Sequence, residues 1–454
     1  MTVPAQLGSS FRDPSGFIFE RQGVLYRHVA ESYSEDFKLL WSSGLYDSLV
    51  EAGQLVACER VDASLSPLPG AVAVLRPERI PLISYPYEWC FSQLKDAALL
   101  TLEIARKALE RGMVLKDASA YNVQFEKGKP IFIDTLSFET YKEGEPWIAY
   151  RQFCSHFLAP LALMALVDVR LASLLRTSID GIPLDLASDL LPGMTKLKPG
   201  LAMHIHLHGK ASKMSATEDV KKASISKTGL LASLDSLKGT IEGLHWEVKG
   251  TQWADYYSDT NYTDAAMAEK RRLVGAFLEA SGAHSCWDLG ANTGEFSRLA
   301  ADLGMETVAW DVDPGAVERA YTAKISGVLP LLQDLTNPSP NLGWAGRERD
   351  SLEARGPADV LLALALVHHL AIGNNVPLTD VAAYFARLGK NAIVEFVPKE
   401  DSQVRRLLAS RRDVFPSYNL EGFREAFAPF FEIKEEAVIA GTSRTLFRLS
   451  RREL

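Results

Sequence analysis

The stretch CWDLGANTGEF, Cys286 to Phe296, decides how the second half of this 454-residue chain is read. An apolar strand pattern runs into a turn with two glycines, and a helix pattern opens directly behind it. Gly290 and Gly294 let the backbone turn tightly and let a ligand approach closely, while the unpaired amides of the helix N-terminus point at that ligand. Asp311 closes the next strand pattern, VAWDVDP, 23 residues after Asp288. A carboxylate about 20 residues past such a turn is placed to accept both ribose hydroxyls of a nucleoside. Asp334, in LLQDL, ends the third strand pattern, where it can bond an adenine amino group. A glycine turn and two acids at three successive strand ends share one edge of a doubly wound sheet, the edge where such sheets bind ligands.

Outward from this point, the chain from about Trp246 alternates strand and helix patterns. The strand candidates are CWDLG, ETVAWD, GVLPLL, DVLLALAL and NAIVEF, followed by FFEIKEEAVI and RTLFRLS. Helix patterns lie near Gly294 to Leu303, Gly315 to Ala323, Leu378 to Arg387 and Asp401 to Ser410. Such alternation favours an α/β fold, a mostly parallel sheet with helices on both faces.

In order and spacing, DLGANTGEF, AWDVDP, LLQDL and ADVLLALALVHHL resemble the successive motifs of class I S-adenosylmethionine-dependent methyltransferases. The resemblance covers nearly half the chain. It implies a Rossmann-like, doubly wound, seven-stranded sheet with a reversed last strand. It also implies a site for S-adenosyl-L-methionine built from Asp288, Gly290, Asn292, Gly294, Asp311 and Asp334. The whole chain is similar to methyltransferases of the NoeA type, known from some rhizobial nodulation clusters, a resemblance that names no substrate.

Methyl transfer is an in-line displacement, so alignment of acceptor, methyl and sulfur supplies much of the rate. An oxygen or nitrogen acceptor can also need to lose a proton. His368 and His369, just past the fourth strand in LALALVHHLAIGNN, are the candidate catalytic residues, since imidazole suits a general base. The plainer reading, that they pack or cap the loop, stands beside it. Glu395, ending the fifth strand pattern, is another pocket candidate. Trp253 to Asp264, WADYYSDTNYTD, is a candidate lid whose aromatics suit a sulfonium cation. The long connection Thr336 to Asp350 carries Arg347 and Arg349, which suit an anionic acceptor or a solvated loop alike.

The first half opens with GFIFERQGVLYRHV, two strands around a Gln-Gly turn. Helix patterns follow near Phe37 to Glu51 and from Tyr87 to Arg111. Next comes LKDASAYNVQFEKGKPIFID, with Asp117 five residues before Asn122 and Asp134 closing a short hairpin. This resembles the catalytic loop and metal motif of the kinase-like fold. The resemblance implies an α+β domain with a nucleotide site, in which Asp117 lies near an acceptor hydroxyl and Asn122 and Asp134 hold the Mg²⁺ of Mg-ATP. The sequence departs from that pattern. It has no G-x-G-x-x-G phosphate loop, Arg27 is the nearest stand-in for the phosphate-binding lysine, and Asp-Thr-Leu replaces Asp-Phe-Gly. Active phosphotransfer, a nucleotide-binding or inert scaffold, and coincidence of pattern all remain open. HIHLH places His204, His206 and His208 on one side of a strand; with no acid or cysteine partner nearby, no metal is expected there.

The expected organisation is thus a kinase-like domain over 1–200, a polar linker with a short helix over 201–245, and a methyltransferase domain over 246–454. Hydrophobic residues make up 47%, charged residues 23%, and the net charge is −8, with no basic tract to favour long nucleic acids. Four well-separated cysteines read as reduced thiols of a cytoplasmic protein. The longest apolar run, Phe157 to Val167, is too short to span a bilayer, and no signal peptide is indicated. The expected partner is a small-molecule or glycan acceptor carrying a hydroxyl or amine, with a protein acceptor as the other option. A phosphotransferase with an accessory methyltransferase-like domain and a non-catalytic scaffold are the competing functions.

Overall fold

The computed structural model describes residues 5–209, 224–248, 262–409 and 412–453. These fall into two compact units. The first holds residues 1–247 together with Asn341–Arg349; the second holds Val248–Pro340 and Asp350–Leu454.

The first unit is α+β. Strands β1 (Ala5–Gln6), β2 (Gly16–Arg21), β3 (Val24–Ala30), β4 (Cys58–Val61) and β5 (Ala71–Pro77) form an antiparallel sheet in the order β1-β2-β3-β5-β4. The β2–β3 hairpin turns through Gln22 and Gly23, both with positive φ (55° and 77°), the backbone that a two-residue hairpin requires. Phe17 and Phe19 alternate inward and pack with Val74. The helix Phe91–Glu110 buries Leu94, Ala98, Leu102, Ala105 and Leu109 at helical spacing and stops before Gly112, whose φ is +76°. Strands β6 (Met113–Leu115), β7 (Val123–Glu126), β8 (Lys129–Phe132) and β9 (Phe138–Thr140) follow, with β7 and β8 forming the hairpin around Lys127-Gly128.

Several expectations need correction. The pattern near Phe37 to Glu51 is two helices, Ser34–Ser42 and Leu45–Glu51, separated by Gly44 in the left-handed region. HIHLH is not a strand; it lies in a π-helical turn, Ala202–Leu207. There His204 is bonded to Tyr150 and Ser236, and His206 to Ser188 and Thr195. Alternation of apolar and polar residues over five positions cannot tell a strand from a tight helical turn that buries the histidines. The helix expected inside the linker runs from Lys227 to Glu242, packs on Phe91–Glu110 and belongs to the first unit; residues 210–223 of the expected linker lie outside the described residues.

The second unit is built on one seven-stranded sheet: β10 (Ser285–Leu289), β11 (Glu306–Asp311), β12 (Val328–Leu332), β13 (Ala358–Ala363), β14 (Gly389–Phe396), β15 (Phe431–Val438) and β16 (Thr445–Arg451). The order is β12-β11-β10-β13-β14-β16-β15. The first five are parallel, whereas β16 runs antiparallel to β14. This is the expected Rossmann-like arrangement with a reversed strand. The sequence reading missed the helix Asp264–Ser281, although Thr263 at its N-cap and Gly282 in the left-handed conformation at its end bracket it. Leu273, Val274, Phe277 and Leu278 of that helix join the core with Cys286, Val360, Leu362 and Ile393 of the sheet. Among the described residues, no helix is long and apolar enough to cross a membrane.

Gly389 shows how tightly the central strands are packed. A Cβ there would lie 2.4 Å from Cγ of Leu361, a fully buried side chain with nowhere to move. Gly389→Ala is expected to destabilise the protein by about 1–3 kcal/mol, read as a lower urea midpoint; an unchanged midpoint would disprove the close approach.

Candidate functional site

The parallel register sets the candidate cofactor edge. Leu289 pairs with Trp310, and Asp311 pairs with Leu332. Gly290, Asp311 and Gln333-Asp334 therefore leave the sheet side by side, at the carboxyl ends of three neighbouring strands. The main-chain amides of Gly290 and Ala291 both donate to the Trp310 carbonyl, at 2.8 and 2.9 Å. Gly290, Asn292 and Gly294 all have positive φ (74°, 52° and 83°), which folds the loop back over the sheet edge and explains glycine at two of the three positions.

The Asp311 carboxylate holds this loop in place. One oxygen accepts the Asn292 amide at 2.7 Å and the other accepts the Asp313 amide at 2.8 Å. Burial pushes its carboxyl up to about 6, against the pull of those amides. Asp288, fully enclosed at the end of β10, goes further, to about 7: burial raises it, the nearby Asp311 charge adds to the rise, and the Ser297 hydroxyl at 2.6 Å and Lys270 oppose it. Asp334 is half-buried and accepts from the Thr336 amide (2.8 Å) and hydroxyl (2.6 Å) through one oxygen.

Beyond β13 the chain enters a turn that carries the two histidines, their rings 4.1 Å apart. His368 is 1% exposed, and its Nδ1 has no hydrogen-bond partner among the described residues. Burial lowers its pKa well below the ordinary imidazole value, with the charges of Arg444 and Lys270 adding to the effect; burial brings His369 to about 4. Both are neutral near pH 7.

A buried ionic cluster missed by the sequence reading stands at the end of β14. Glu395, fully enclosed, pairs with Lys270 Nζ at 2.6 Å and with Arg444 Nη1 at 3.1 Å. Arg444 Nε reaches Asp401 at 2.8 Å, and the Tyr262 hydroxyl donates to Glu395. Lys270 Nζ also lies 4.9 Å from the Tyr262 ring and 4.8 Å from the Phe296 ring. Burial raises the Glu395 carboxyl, but Lys270 and Arg444 outweigh it and hold it below the ordinary carboxylate range. The expected Glu395 thus has three partners drawn from distant sequence. Of the candidate lid Trp253 to Asp264, only Tyr262 onward lies within the described residues.

The insertion Thr336 to Asp350 departs from expectation. Its stretch Asn341–Arg349 counts with the first unit, although the sequence around it belongs to the second. Its guanidinium stacks on Tyr121, with Cζ 3.8 Å from the ring centroid, and Glu348 forms a two-pronged ion pair with Arg12 at 2.7 and 2.9 Å.

In the first unit, the expected trio does come together. Asp117 interacts with the Asn122 side chain and feels the charge of Asp134, and with burial as the main cause its carboxyl is raised. The Asn122 amide group donates to Ser137 Oγ at 3.3 Å, and Ser137 Oγ donates to Asp134 at 2.5 Å. Asp134 is also paired with Arg27; burial raises its carboxyl, but Arg27 together with the Ser137 hydroxyl, the Leu136 amide and Lys116 brings it below the ordinary range. A guanidinium thus stands where the kinase resemblance places a metal ion.

No family profile matches the chain. The nodulation protein NoeA of Rhizobium meliloti (strain 1021) is 38% identical over 463 aligned residues, which cover 99% of this chain and 97% of that protein. Among solved structures, magnesium protoporphyrin IX methyltransferase (ChlM) from Synechocystis PCC 6803 with bound SAH is similar over 44% of this chain and 93% of its own, at 16% identity and a TM-score of 0.31. The N-methyltransferase NodS from Bradyrhizobium japonicum WM9, in complex with S-adenosyl-L-homocysteine, is similar over 41% and 88%, at 15% identity and a TM-score of 0.32. The end-to-end match decides the relationship: this chain belongs to the NoeA family.

Proposed function

We propose that the second unit is an S-adenosylmethionine-dependent methyltransferase acting on an oxygen or nitrogen of a small molecule or glycan. The observation that carries this reading is the strand-end alignment of Gly290, Asp311 and Asp334 in a sheet ordered β12-β11-β10-β13-β14-β16-β15. The residues fit the cofactor. A Cβ at Gly290 or Gly294 would come within 3.2 Å of Leu366 or Ile325, and both have positive φ, so the tight loop geometry calls for glycine at both positions. The Asp311 carboxylate has lone pairs beyond the two engaged by amides, which suits it to a ribose diol. Asp334 suits the adenine amino group, and Asp288 fixes the loop through Ser297. When bound, the sulfonium supplies an electrophilic methyl group.

His368 and His369 are the proposed catalytic residues, with an adjusted role. Their lowered pKa values make either imidazole a poor store for a proton at pH 7, so the matched general base expected from sequence is weakened. The unpartnered Nδ1 of His368 suits instead a neutral acceptor that orients the O–H or N–H of the methyl acceptor. Glu395, fully enclosed and paired with Lys270 and Arg444, acts by holding the end of β14 in place rather than by meeting the acceptor. For the first unit we propose substrate presentation or regulation. The Arg27–Asp134 pair disfavours a metal at Asp134, because Mg²⁺ would have to displace a buried partner.

Calorimetry tests the reading directly. S-adenosylmethionine is expected to saturate the full chain, and Asp311→Ala to weaken it at least about tenfold, the loss expected when a charge-assisted hydrogen-bond acceptor is removed. Failure of the donor to saturate the wild type would refute the proposal. Saturable Mg-ATP binding that Asp134→Ala abolishes would favour phosphotransfer in the first unit.

A second test uses pH. The raised Asp288 carboxyl favours the fold while protonated, and that contribution is lost as pH rises from about 4 through about 7. Asn cannot ionise, so in the ligand-free protein Asp288→Asn should gain thermal stability relative to wild type at pH 8 and gain less, or nothing, at pH 5. The same difference at both pH values would contradict the buried, raised carboxyl.

A further inference from the structure

We propose that the first unit carries an oxyanion site, for a phosphate or carboxylate group, formed by Arg349, the Tyr121 hydroxyl and His156 Nδ1.

Three buried polar atoms there, Arg349 Nε, Tyr121 Oη and His156 Nδ1, have no hydrogen-bond partner among the described residues. Such atoms are uncommon in folded proteins and expensive to bury. Here Tyr121 touches both of the other two residues. The Arg349 guanidinium covers the Tyr121 ring, and the Tyr121 and His156 rings meet edge to face at 6.0 Å. The Arg349 charge also reaches His156, whose pKa burial lowers to about 4. A phenol and a guanidinium are donors, and a neutral imidazole is one at Nδ1 in the tautomer that carries its proton there. A group that satisfies three donors at once is an acceptor with several lone pairs.

Charge points the same way. Arg349 forms no ion pair among the described residues; its Nη1 donates to the neighbouring Glu348 carbonyl at 2.7 Å, and its guanidinium also interacts with the Tyr121 side chain. The Glu348 carboxylate beside it is already committed to Arg12 and to the Trp344 amide at 2.6 Å. The charged groups that Tyr121 feels are Arg349 and Asp180, and Asp180 is exposed. A partly buried guanidinium that must share the nearby Glu348 carboxylate with Arg12 keeps unmet hydrogen-bonding capacity, and an oxyanion with two parallel acceptors matches its fork.

The surroundings suit a ligand site. Tyr121 precedes Asn122 in the loop that also presents Asp117. His156 lies in a π-helical turn, Cys154–Leu158, one turn beyond Gln152, whose amide donates to Asp117 at 2.9 Å. Turns of this kind recur where a helix must redirect side chains at a functional site.

The experiment is titration of the full chain with inorganic phosphate, glucose 1-phosphate and glucuronate, followed by calorimetry and thermal shift. Wild type, Arg349→Met and Tyr121→Phe are compared, with circular dichroism confirming that each variant is folded. At least one probe should bind saturably to wild type, at least about tenfold more weakly to Arg349→Met and several-fold more weakly to Tyr121→Phe. Equal affinity for phosphate and glucose 1-phosphate would assign the group alone; preference for the ester would assign a phosphorylated ligand, and preference for glucuronate a carboxylate. No saturable binding of any probe to wild type, or undiminished binding to Arg349→Met, would overturn the site. S-adenosylmethionine binding by Arg349→Met should be unchanged, which keeps this test separate from the methyltransferase reading.

Discussion

The candidate cofactor edge depends on one carboxylate. Asp311 ends β11 and ties two loops together, accepting the amide of Asn292 from the loop after β10 and that of Asp313 from the loop after its own strand. A left-handed turn through Gly290, Asn292 and Gly294 leaves main-chain amides without helical or sheet partners, and a buried amide must be paired. Asp311 satisfies one of them and at the same time presents a carboxylate at the strand end. The glycine loop and the acid are therefore two parts of one device. The cost is electrostatic: burial raises both Asp288 and Asp311, with the Asp311 charge adding to the rise at Asp288 and that of Asp313 to the rise at Asp311. Strain of this sort is retained where a ligand compensates for it.

At the other side of β13 the second unit buries Lys270, Glu395, Arg444 and Asp401 in one cluster. Four charges taken from water rarely stabilise a fold better than apolar packing would. Their value here is positional. The cluster fixes the end of β14, the helix Asp264–Ser281 and the turn before β16 with respect to each other, and its cations add to the burial that lowers the His368 pKa. A buried, neutral imidazole is a different chemical environment from the proton-accepting histidine that the sequence suggests.

The first unit shows the opposite balance. Its Asp117, Asn122 and Asp134 gather as the spacing implies, yet Arg27 neutralises Asp134 directly. The cationic group comes from β3 of the antiparallel sheet, the strand on which the sequence reading sought a phosphate-binding lysine. A residue suited to hold phosphate has become the partner of the acid suited to hold metal. The donors without partners have moved to Arg349, Tyr121 and His156.

The sequence by itself determined the second unit's fold and its candidate cofactor edge. Strand period, helix period and left-handed glycines are local properties, and parallel strands of similar length place consecutive loop ends at one edge without further information. The hairpins at Gln22-Gly23 and Lys127-Gly128, and the apolar stripe of Phe91–Glu110, were legible for the same reason. The tertiary structure alone decided which charges meet. Lys270 and Arg444 carry no signal in the sequence, and their pairing with Glu395 spans 125 and 49 positions. Arg349 lies in a connection of the second unit by sequence but packs in the first by contact. HIHLH carried an alternation that fitted a strand until its histidines found partners in Tyr150, Ser188, Thr195 and Ser236. Local patterns report the backbone's own preferences, whereas long-range ion pairs and buried polar contacts depend on distances that only packing creates.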